Sequence, residues 1–329
     1  MGFGGRNRNG GGSTTTTTPT GSRTFNYEVN GLTVQARMNG NITLDNGGNL
    51  ETWYFGSGFS GDRQWAGPII EATEGDLVEI TLNSGMPHSI HLHGLDVDQA
   101  NDGVPATSGY VSGGGGGGGN FGRVDGYTRL GNSYTYTFVA PHAGTYQYHC
   151  HVDTVLHYDM GMHGTIIIRP RSGNITEAWD GGPTFAKEHV WQMGTSDSSW
   201  RSTNVSGSQT VRYRPDCFMI NGVNGADAKT DGTVAITANA GEKVLIRTNQ
   251  TSYQGAKIEF GGLPFEVIAA DGRPAATAQT MTSLYMTPGE RYDILITMPS
   301  AGTYDASVSY YDNRGANVIG TVATTLTSV

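Results

Sequence analysis

The sequence predicts an all-β protein made of two β-sandwich domains, and three observations carry that prediction. Gly accounts for 50 of the 329 residues, about twice its average share. Charged residues make up only 15 %, whereas long amphipathic helices need more Leu, Glu and Lys; many short strands joined by Gly-rich turns fit better. Short runs of alternating apolar and polar residues recur along the chain, separated by Gly, Asn and Pro, which is the pattern of an antiparallel sandwich.

In chain order, residues 1–24 are low in complexity and cannot bury a core. A first domain is expected over residues 25–170, where the strand-like runs are FNYEVNGLTVQARM, LVEITLN, YTYTFVA and GTIIIRP. The seven-glycine run at 113–119 reads as an exposed insertion in a loop. The strand pattern breaks over 171–184, the expected linker. A second domain is expected over 185–329, with HVWQM, CFMING, VAITA, EKVLIRTN, FEVIAADG, RYDILITM and GTYDASVSYY. Each half carries a Gly-[Asp/Glu]-x-Val-x-Ile element, at 75–80 and 241–246, followed by Ala-Gly-Thr-Tyr, at 143–146 and 301–304. The gap between the two elements is 68 residues in the first half and 60 in the second. Shared order and similar spacing favour duplication of one sandwich.

The 20 basic and 29 acidic residues give a net charge of −9. No basic excess exists to neutralise phosphates, which argues against nucleic acid or an anionic membrane as partner. No apolar run of about 18 residues is present, so no membrane span is expected. Cys150 and Cys217, 67 positions apart, do not make a disulfide framework. Met1–Gly12 lacks the apolar core of a signal peptide. The Ser/Thr/Pro tract behind it reads as a spacer, and a periplasmic or extracellular location with the export signal removed is the favoured expectation.

Chemistry concentrates in the histidines. Six of the nine fall in two segments, Pro87-His88-Ser89-Ile90-His91-Leu92-His93-Gly94 and His149-Cys150-His151 with His157 downstream. On a strand His91 and His93 share a face, as do His149 and His151, and Cys150 then points the opposite way. One strand can thus offer two imidazoles to one site and a thiolate to another. Cys150, His157 and Met162, with His88 upstream, form the ligand set of a blue-copper centre. A zinc site also takes His and Cys, but it would account for three or four ligands rather than eight with a methionine at axial spacing. His142 reads as a turn residue, His163 as a neighbour of Met162, and Cys217 as a small buried hydrophobe. Met160 competes with Met162, though the His-x4-Met spacing favours Met162.

These segments resemble a known family. GPIIEATEGDLVEITLN, MPHSIHLHGLDVDQANDGVP and AGTYQYHCHVDTVLHYDMGMHG are similar to the cupredoxin domains of multicopper oxidases, the laccase family. FMINGVNG, FEVIAADGRP and LYMTPGERYDILI are similar to its copper-free second domain. The resemblance spans roughly residues 25–325 and implies two cupredoxin-like Greek-key sandwiches. It also implies a type 1 copper on His88, Cys150, His157 and Met162, and half of a trinuclear type 2/type 3 cluster on His91, His93, His149 and His151. O2 would be reduced to water with electrons from a small reductant: a phenol, a metal ion or a redox protein. Asp102 and Asp153 match the family's acidic positions, where either could relay protons; a plain turn role for Asp102 before Gly103 is the alternative.

The chain departs from that pattern in one respect. The family's full cluster uses four His-x-His pairs, and this chain has two. After residue 170 its only histidine is His189, read as an ordinary strand or loop residue. Three resolutions follow: first domains of two copies pooling their pairs, another chain supplying the rest, or a reduced cluster in an electron carrier or copper-binding protein. A homo-oligomer, dimer or trimer, is expected if the protein is an oxidase. Copper nitrite reductase is the weaker reading, because His91 replaces the acid of its first motif.

Overall fold

The computed structural model describes residues 27–28, 32–57, 64–113, 124, 126–201, 212–313 and 317–329. The N-terminal low-complexity segment and nearly all of the glycine run lie outside these residues. The first sandwich contains β1 (Tyr27–Glu28), β2 (Leu32–Thr43), β3 (Asn49–Gly56), β4 (Ile70–Thr73) and β5 (Leu77–Asn83). It continues through β6 (His91–His93), β7 (Ser133–Val139), β8 (Gly144–His149) and β9 (His163–Arg169), with short helices α1 (Pro105–Ser108) and α2 (Thr154–Met160). Its sheets have the orders β1-β4-β9-β8-β6 and β3-β2-β5-β7.

The second sandwich contains β10 (Lys187–Ser196), β11 (Cys217–Ile220), β12 (Ile236–Ala238), β13 (Lys243–Gln250), β14 (Gly255–Glu259) and β15 (Phe265–Ala270). It ends with β16 (Arg273–Met281), β17 (Ser283–Met286), β18 (Arg291–Thr297), β19 (Gly302–Tyr311) and β20 (Val318–Ser328). The orders here are β11-β10-β13-β18-β15-β16 and β12-β20-β19-β14-β17. The two repeats of the sequence occupy equivalent places. Gly-Asp-Leu-Val-Glu-Ile enters β5, which runs parallel to β2 and antiparallel to β7. Gly-Glu-Lys-Val-Leu-Ile enters β13, which stands in the same relation to β10 and β18. The two Ala-Gly-Thr-Tyr elements open β8 and β19.

The sheets are mixed rather than purely antiparallel: β2 and β5, β4 and β9, β10 and β13, and β12 and β20 pair in parallel. Alternation reports which face of a strand is buried and is silent on the direction of its neighbour. Strands β3, β4, β14, β16, β17 and β20 lie outside the runs read as strands; all but β3 are short or rich in polar and small residues. The segment expected as a linker packs on the second sandwich, with its Ala178 in one cluster with Phe185, Leu245, Ile268 and Leu295.

Each sandwich buries its own apolar core, one around Ile80, Tyr136 and Ile166 and the other around Trp191, Ile246 and Val308. Where the sandwiches meet, a buried polar network lies beside an apolar cluster of Leu50, Trp65, Cys217 and Met219. Arg169 bonds Glu71 at 2.8 and 3.0 Å and Glu188 at 2.7 Å through two further N–H groups. Arg247 donates to Glu188 at 2.6 Å and to Asp293 at 3.0 Å, and Thr145 donates to Asp293 at 2.5 Å. Residues 71, 145 and 169 come from the first sandwich and 188, 247 and 293 from the second, so the network fixes one on the other. Trp65 completes the seam: a Cβ on Gly194 would lie 1.9 Å from its ring.

Burial opposes ionisation of Glu188, but Arg169 and Arg247 outweigh it and hold the carboxyl below its ordinary range. Glu188→Gln leaves two buried guanidiniums short of their shared partner and should cost about 3–5 kcal/mol in denaturant unfolding at neutral pH. A carboxyl depressed in the folded state contributes above its unfolded pKa, about 4.3, and loses that contribution as pH falls below it. The gap between wild type and variant should therefore shrink in acid. An equal gap at neutral pH and at about pH 3 would contradict the assignment.

Candidate metal centres

Strand β8 builds both candidate centres. Its register against β6 sets His91 opposite His149 and His93 opposite Gln147. The pleat then sends His149 to one face of the sheet and Cys150, the next residue, to the core.

On the core side, Cys150 Sγ lies 3.6 Å from Nδ1 of His88 and 3.2 Å from Nδ1 of His157. All three are buried, as is Met162. His88 is held by paired backbone bonds with Val111, at 2.9 and 2.8 Å. His157 sits in the middle of α2, and its amide donates to the carbonyl of Asp153. The Cys150 amide donates to the carbonyl of Met162 at 2.9 Å, which ties the loop after α2 to the thiol. Met160 is also buried, but it is not part of the core cluster that contains Cys150 and Met162. Burial lowers the pKa of His157 to about 3 and takes His88 well below its ordinary value, with His157 adding to the effect at His88. Burial also raises the Cys150 thiol to about 12.

On the other face four imidazoles crowd together. Ring centroids are 5.6 Å apart for His91 and His93, 5.0 Å for His91 and His149, 5.4 Å for His91 and His151, and 5.8 Å for His149 and His151. Nδ1 of His91 is engaged by the carbonyl of Asp102 at 2.7 Å and Nδ1 of His149 by the carbonyl of Cys150 at 2.9 Å. Each carbonyl fixes the tautomer and leaves Nε2 as the free lone pair. Nδ1 of His93 faces Nε2 of His149 at 3.4 Å. Ligand atoms of His91, His93 and His149 lie within 4.8 Å of one another, a spacing one ion can bridge. His149 is buried and the other three are half-buried. Burial lowers His93 to about 4, helped by Arg291, and also lowers His149 and His151.

Asp102 is brought to this face, with its carboxylate 3.4 Å from Nδ1 of His91. Asp153 is placed differently: it precedes α2 with φ +42°, and its carbonyl receives the amides of Leu156 and His157. It therefore stands on the thiol side. His163 is fully buried against Trp65 and Tyr158, and neither ring nitrogen has a hydrogen-bond partner. His189 lies buried on β10. Cys217 packs with Leu50, Trp65 and Met219.

Three groups around the centres carried no signal in the sequence. Trp53 stands edge-on against His157 at 5.3 Å. Tyr158 contacts His149 at 5.2 Å and accepts a hydrogen bond from Gln147 at 2.6 Å. Arg291, from the second sandwich, reaches the histidine face: a Cβ on Gly94 would lie 2.3 Å from its Nη2. Only folding brings these distant residues together.

Counting from the shared Ala-Gly-Thr-Tyr, His149, Cys150 and His151 correspond to Ser307, Val308 and Ser309. The second sandwich therefore repeats the fold without the donors.

Two multicopper oxidase family models match the chain, one over residues 34–172 and the other over 190–328. The chain belongs to the multicopper oxidase family. Laccase-7 of Oryza sativa subsp. japonica is 28 % identical over 272 residues, covering 80 % of this chain and 45 % of that protein. Laccase-3 of Botryotinia fuckeliana is 28 % identical over 267 residues, covering 76 % of this chain and 52 % of that protein. The chain thus spans about half the length of these laccases. The blue copper oxidase from Nitrosomonas europaea superposes with a TM-score of 0.69 at 22 % identity, over 92 % of this chain and 86 % of that one. That likeness places the fold among the cupredoxin-like sandwiches.

Copper is the metal that family membership implies, and the donors fit it. Two imidazoles turn Nδ1 toward a buried thiol that forms no disulfide, and the buried Nε2 of His88 has no hydrogen-bond partner. Soft sulfur with imidazole nitrogen suits copper. The copper-loaded protein should absorb intensely in the visible through thiolate-to-Cu(II) charge transfer. Cys150→Ser should remove that band, and Cys217→Ser should leave it intact. A colourless copper-loaded wild type would count against the thiolate site.

Proposed function

We propose that the protein is a copper-dependent oxidase that takes electrons one at a time from a small reductant and reduces O2 to water. The observation that carries this reading is the pair of donor sets on opposite faces of one strand. His88, Cys150, His157 and Met162 would hold a type 1 copper; His91, His93, His149 and His151 would hold their share of a type 2/type 3 cluster. Bound copper would supply one-electron acceptance at the first set and O2 reduction at the second.

The residues of the chain do the rest. Cys150 is bonded through its own backbone to His149 and His151, so the two sets are joined covalently over one residue. The carbonyls of Asp102 and Cys150 orient His91 and His149. The Asp102 carboxylate, 31 % exposed, would pass protons between water and the histidine face. Asp153, on the thiol side, is the lesser candidate for that role. No helix among the described residues is long and apolar enough to cross a membrane, and a periplasmic or extracellular setting belongs to this proposal.

Four histidines per chain are half of the family's cluster, so we propose that a second copy completes it. His91, His93 and His151 are half-buried, and that leaves their face open to a partner. A two-fold contact would set the same face of each copy against the other and pool four His-x-His pairs. Among the described residues, the chain's own second sandwich brings Arg291, Gly289 and Asp271 near this face and no histidine.

Replacing His91 and His149 together should leave the visible band in place and stop O2 uptake with a phenol as reductant. Uptake at the wild-type rate would refute the cluster assignment. About one copper per chain with no O2 uptake would instead make the protein a carrier. Dilution through the dissociation range, followed by sedimentation, should remove oxidase activity while the colour persists. A fully active monomer would overturn the shared site.

A further inference from the structure

The helix that carries His157 is held from outside its own sandwich. α2 has seven residues, too few to be stable alone, and it begins with Thr154 and Val155, β-branched residues that favour helix weakly. Its support comes across the seam. At the first turn the Tyr253 hydroxyl reaches the carbonyls of Thr154 and Val155, at 3.0 and 2.9 Å. At the last turn Asp159 is 2 % exposed. Tyr213 donates its O–H to Oδ1 of Asp159 at 2.8 Å, and the Asp197 amide donates to the same oxygen at 3.2 Å. Ser196 Oγ lies 3.1 Å from Oδ2 and 3.0 Å from the Asp159 carbonyl. Tyr253, Tyr213, Asp197 and Ser196 all belong to the second sandwich.

Asp159 stands between two members of the thiolate set, with His157 before it and Met162 after it. The Met162 amide donates to the His157 carbonyl at 3.0 Å, and the Met162 carbonyl receives the Cys150 amide at 2.9 Å. A displacement of Asp159 is thus passed to the imidazole, the thioether and the thiol together. The groups that grip the helix are themselves braced. Tyr213 packs perpendicular to Tyr253 with ring centroids 5.3 Å apart, and Tyr253 lies 5.6 Å from Tyr158. Asn313 Nδ2 donates to the Tyr253 carbonyl at 2.5 Å. Docking of the sandwiches is already fixed elsewhere on the seam, by Arg169, Glu188 and Arg247.

We infer that Asp159 is a positioning residue of the thiolate site, through which Ser196, Asp197 and Tyr213 of the second sandwich set where His157 and Met162 stand, and hence the reduction potential of the copper. The inference rests on the copper reading of that site and adds the residue that tunes it. The axial thioether of such a centre is bound weakly and at long range, and the potential depends on that ligand. Its position therefore follows the protein more than the metal. Groups that orient a ligand without touching the metal act on the metal through it. Cu(II) favours tetragonal geometry. A helix gripped at both ends resists movement toward that geometry, and a slack one permits it. Loss of the grip should therefore favour Cu(II) over Cu(I).

The test uses the full chain and a variant that keeps the Asp159 carboxylate, Ser196→Ala with Tyr213→Phe. Loaded with copper, the double variant should keep an intense visible band but change its position and the Cu(II) EPR hyperfine splitting. Its anaerobic equilibrium with the ferrocyanide/ferricyanide couple should move about tenfold toward Cu(II), which is about 59 mV for a one-electron couple. In the copper-free protein the amides of α2 should exchange with deuterium faster than in wild type. Glu188→Gln, which loosens the seam away from α2, should leave band, splitting and equilibrium as they are in wild type. Wild-type band, splitting and equilibrium in the double variant overturn the inference, even where α2 exchanges faster, because the contacts are then structural only. An equal shift in Glu188→Gln overturns it too, since docking in general is then the cause. Should the double variant fail to fold, Tyr213→Phe alone is read by the same measures, with the same outcomes. A wild type with no visible band defeats the copper reading instead, so the two failures are distinct.

Discussion

A β-strand has two faces, and the protein depends on how β8 divides them. His149 and His151 must look one way and Cys150 the other, and a slip of one residue would exchange them. The register is locked by Tyr148, which shares the face of Cys150. Its hydroxyl donates to the Pro68 carbonyl at 2.7 Å. Its ring fills space that only glycine leaves on two neighbouring segments: a Cβ on Gly67 would lie 2.2 Å from the hydroxyl, and one on Gly164 2.3 Å from the ring. The side chains that set the chemistry are thus held by residues with no chemistry of their own.

The second sandwich repeats the fold and omits the donors, so its contribution is positional. The ion network of Glu71, Arg169, Glu188, Arg247 and Asp293 is buried at the seam. Burial raises the Asp293 carboxyl against the pull of Arg247 and Thr145. A buried network of this kind adds less to stability than its bond count suggests, because desolvation offsets the attraction. Its effect is to fix orientation, since planar guanidiniums between carboxylates admit few arrangements. That orientation carries Arg291 to Gly94 and brings Gly289 next to His93, where a Cβ on Gly289 would lie 3.4 Å from the imidazole.

Much of this was legible in the sequence, for identifiable reasons. The two-residue period of a strand makes His-x-His and His-Cys-His interpretable from spacing alone, and the structure brings those residues together. The duplication was readable because each repeat opens a strand at a Gly-rich turn. The parallel pairs were not readable, since burial patterns carry no strand direction. Asp153 matched a family position, yet it lies at the start of α2 on the thiol side, because one residue of left-handed backbone turns the chain there. Trp53 and Arg291 stayed hidden for a different reason: one reaches His157 from a separate strand and the other comes across the seam between sandwiches, and neither leaves a local pattern.

The two centres differ in how far one chain completes them. The thiolate set is closed: its four residues are between 0 and 7 % exposed, and Tyr253 and Ser196 of the second sandwich further hold the carbonyls of α2, which carries His157. The histidine face is oriented equally well, by the carbonyls of Asp102 and Cys150, but it is open. A half-open set of imidazoles binds metal less firmly than a closed one, because affinity follows ligand count and fixed geometry. Burial lowers His93, His149 and His151, with Arg291 adding to the effect at His93, and so keeps those three rings available as donors. Covering the face would remove water from it and add ligands in the same event. Metal retention at the thiolate site is therefore a property of the fold, whereas at the histidine face it is a property of whatever closes over it.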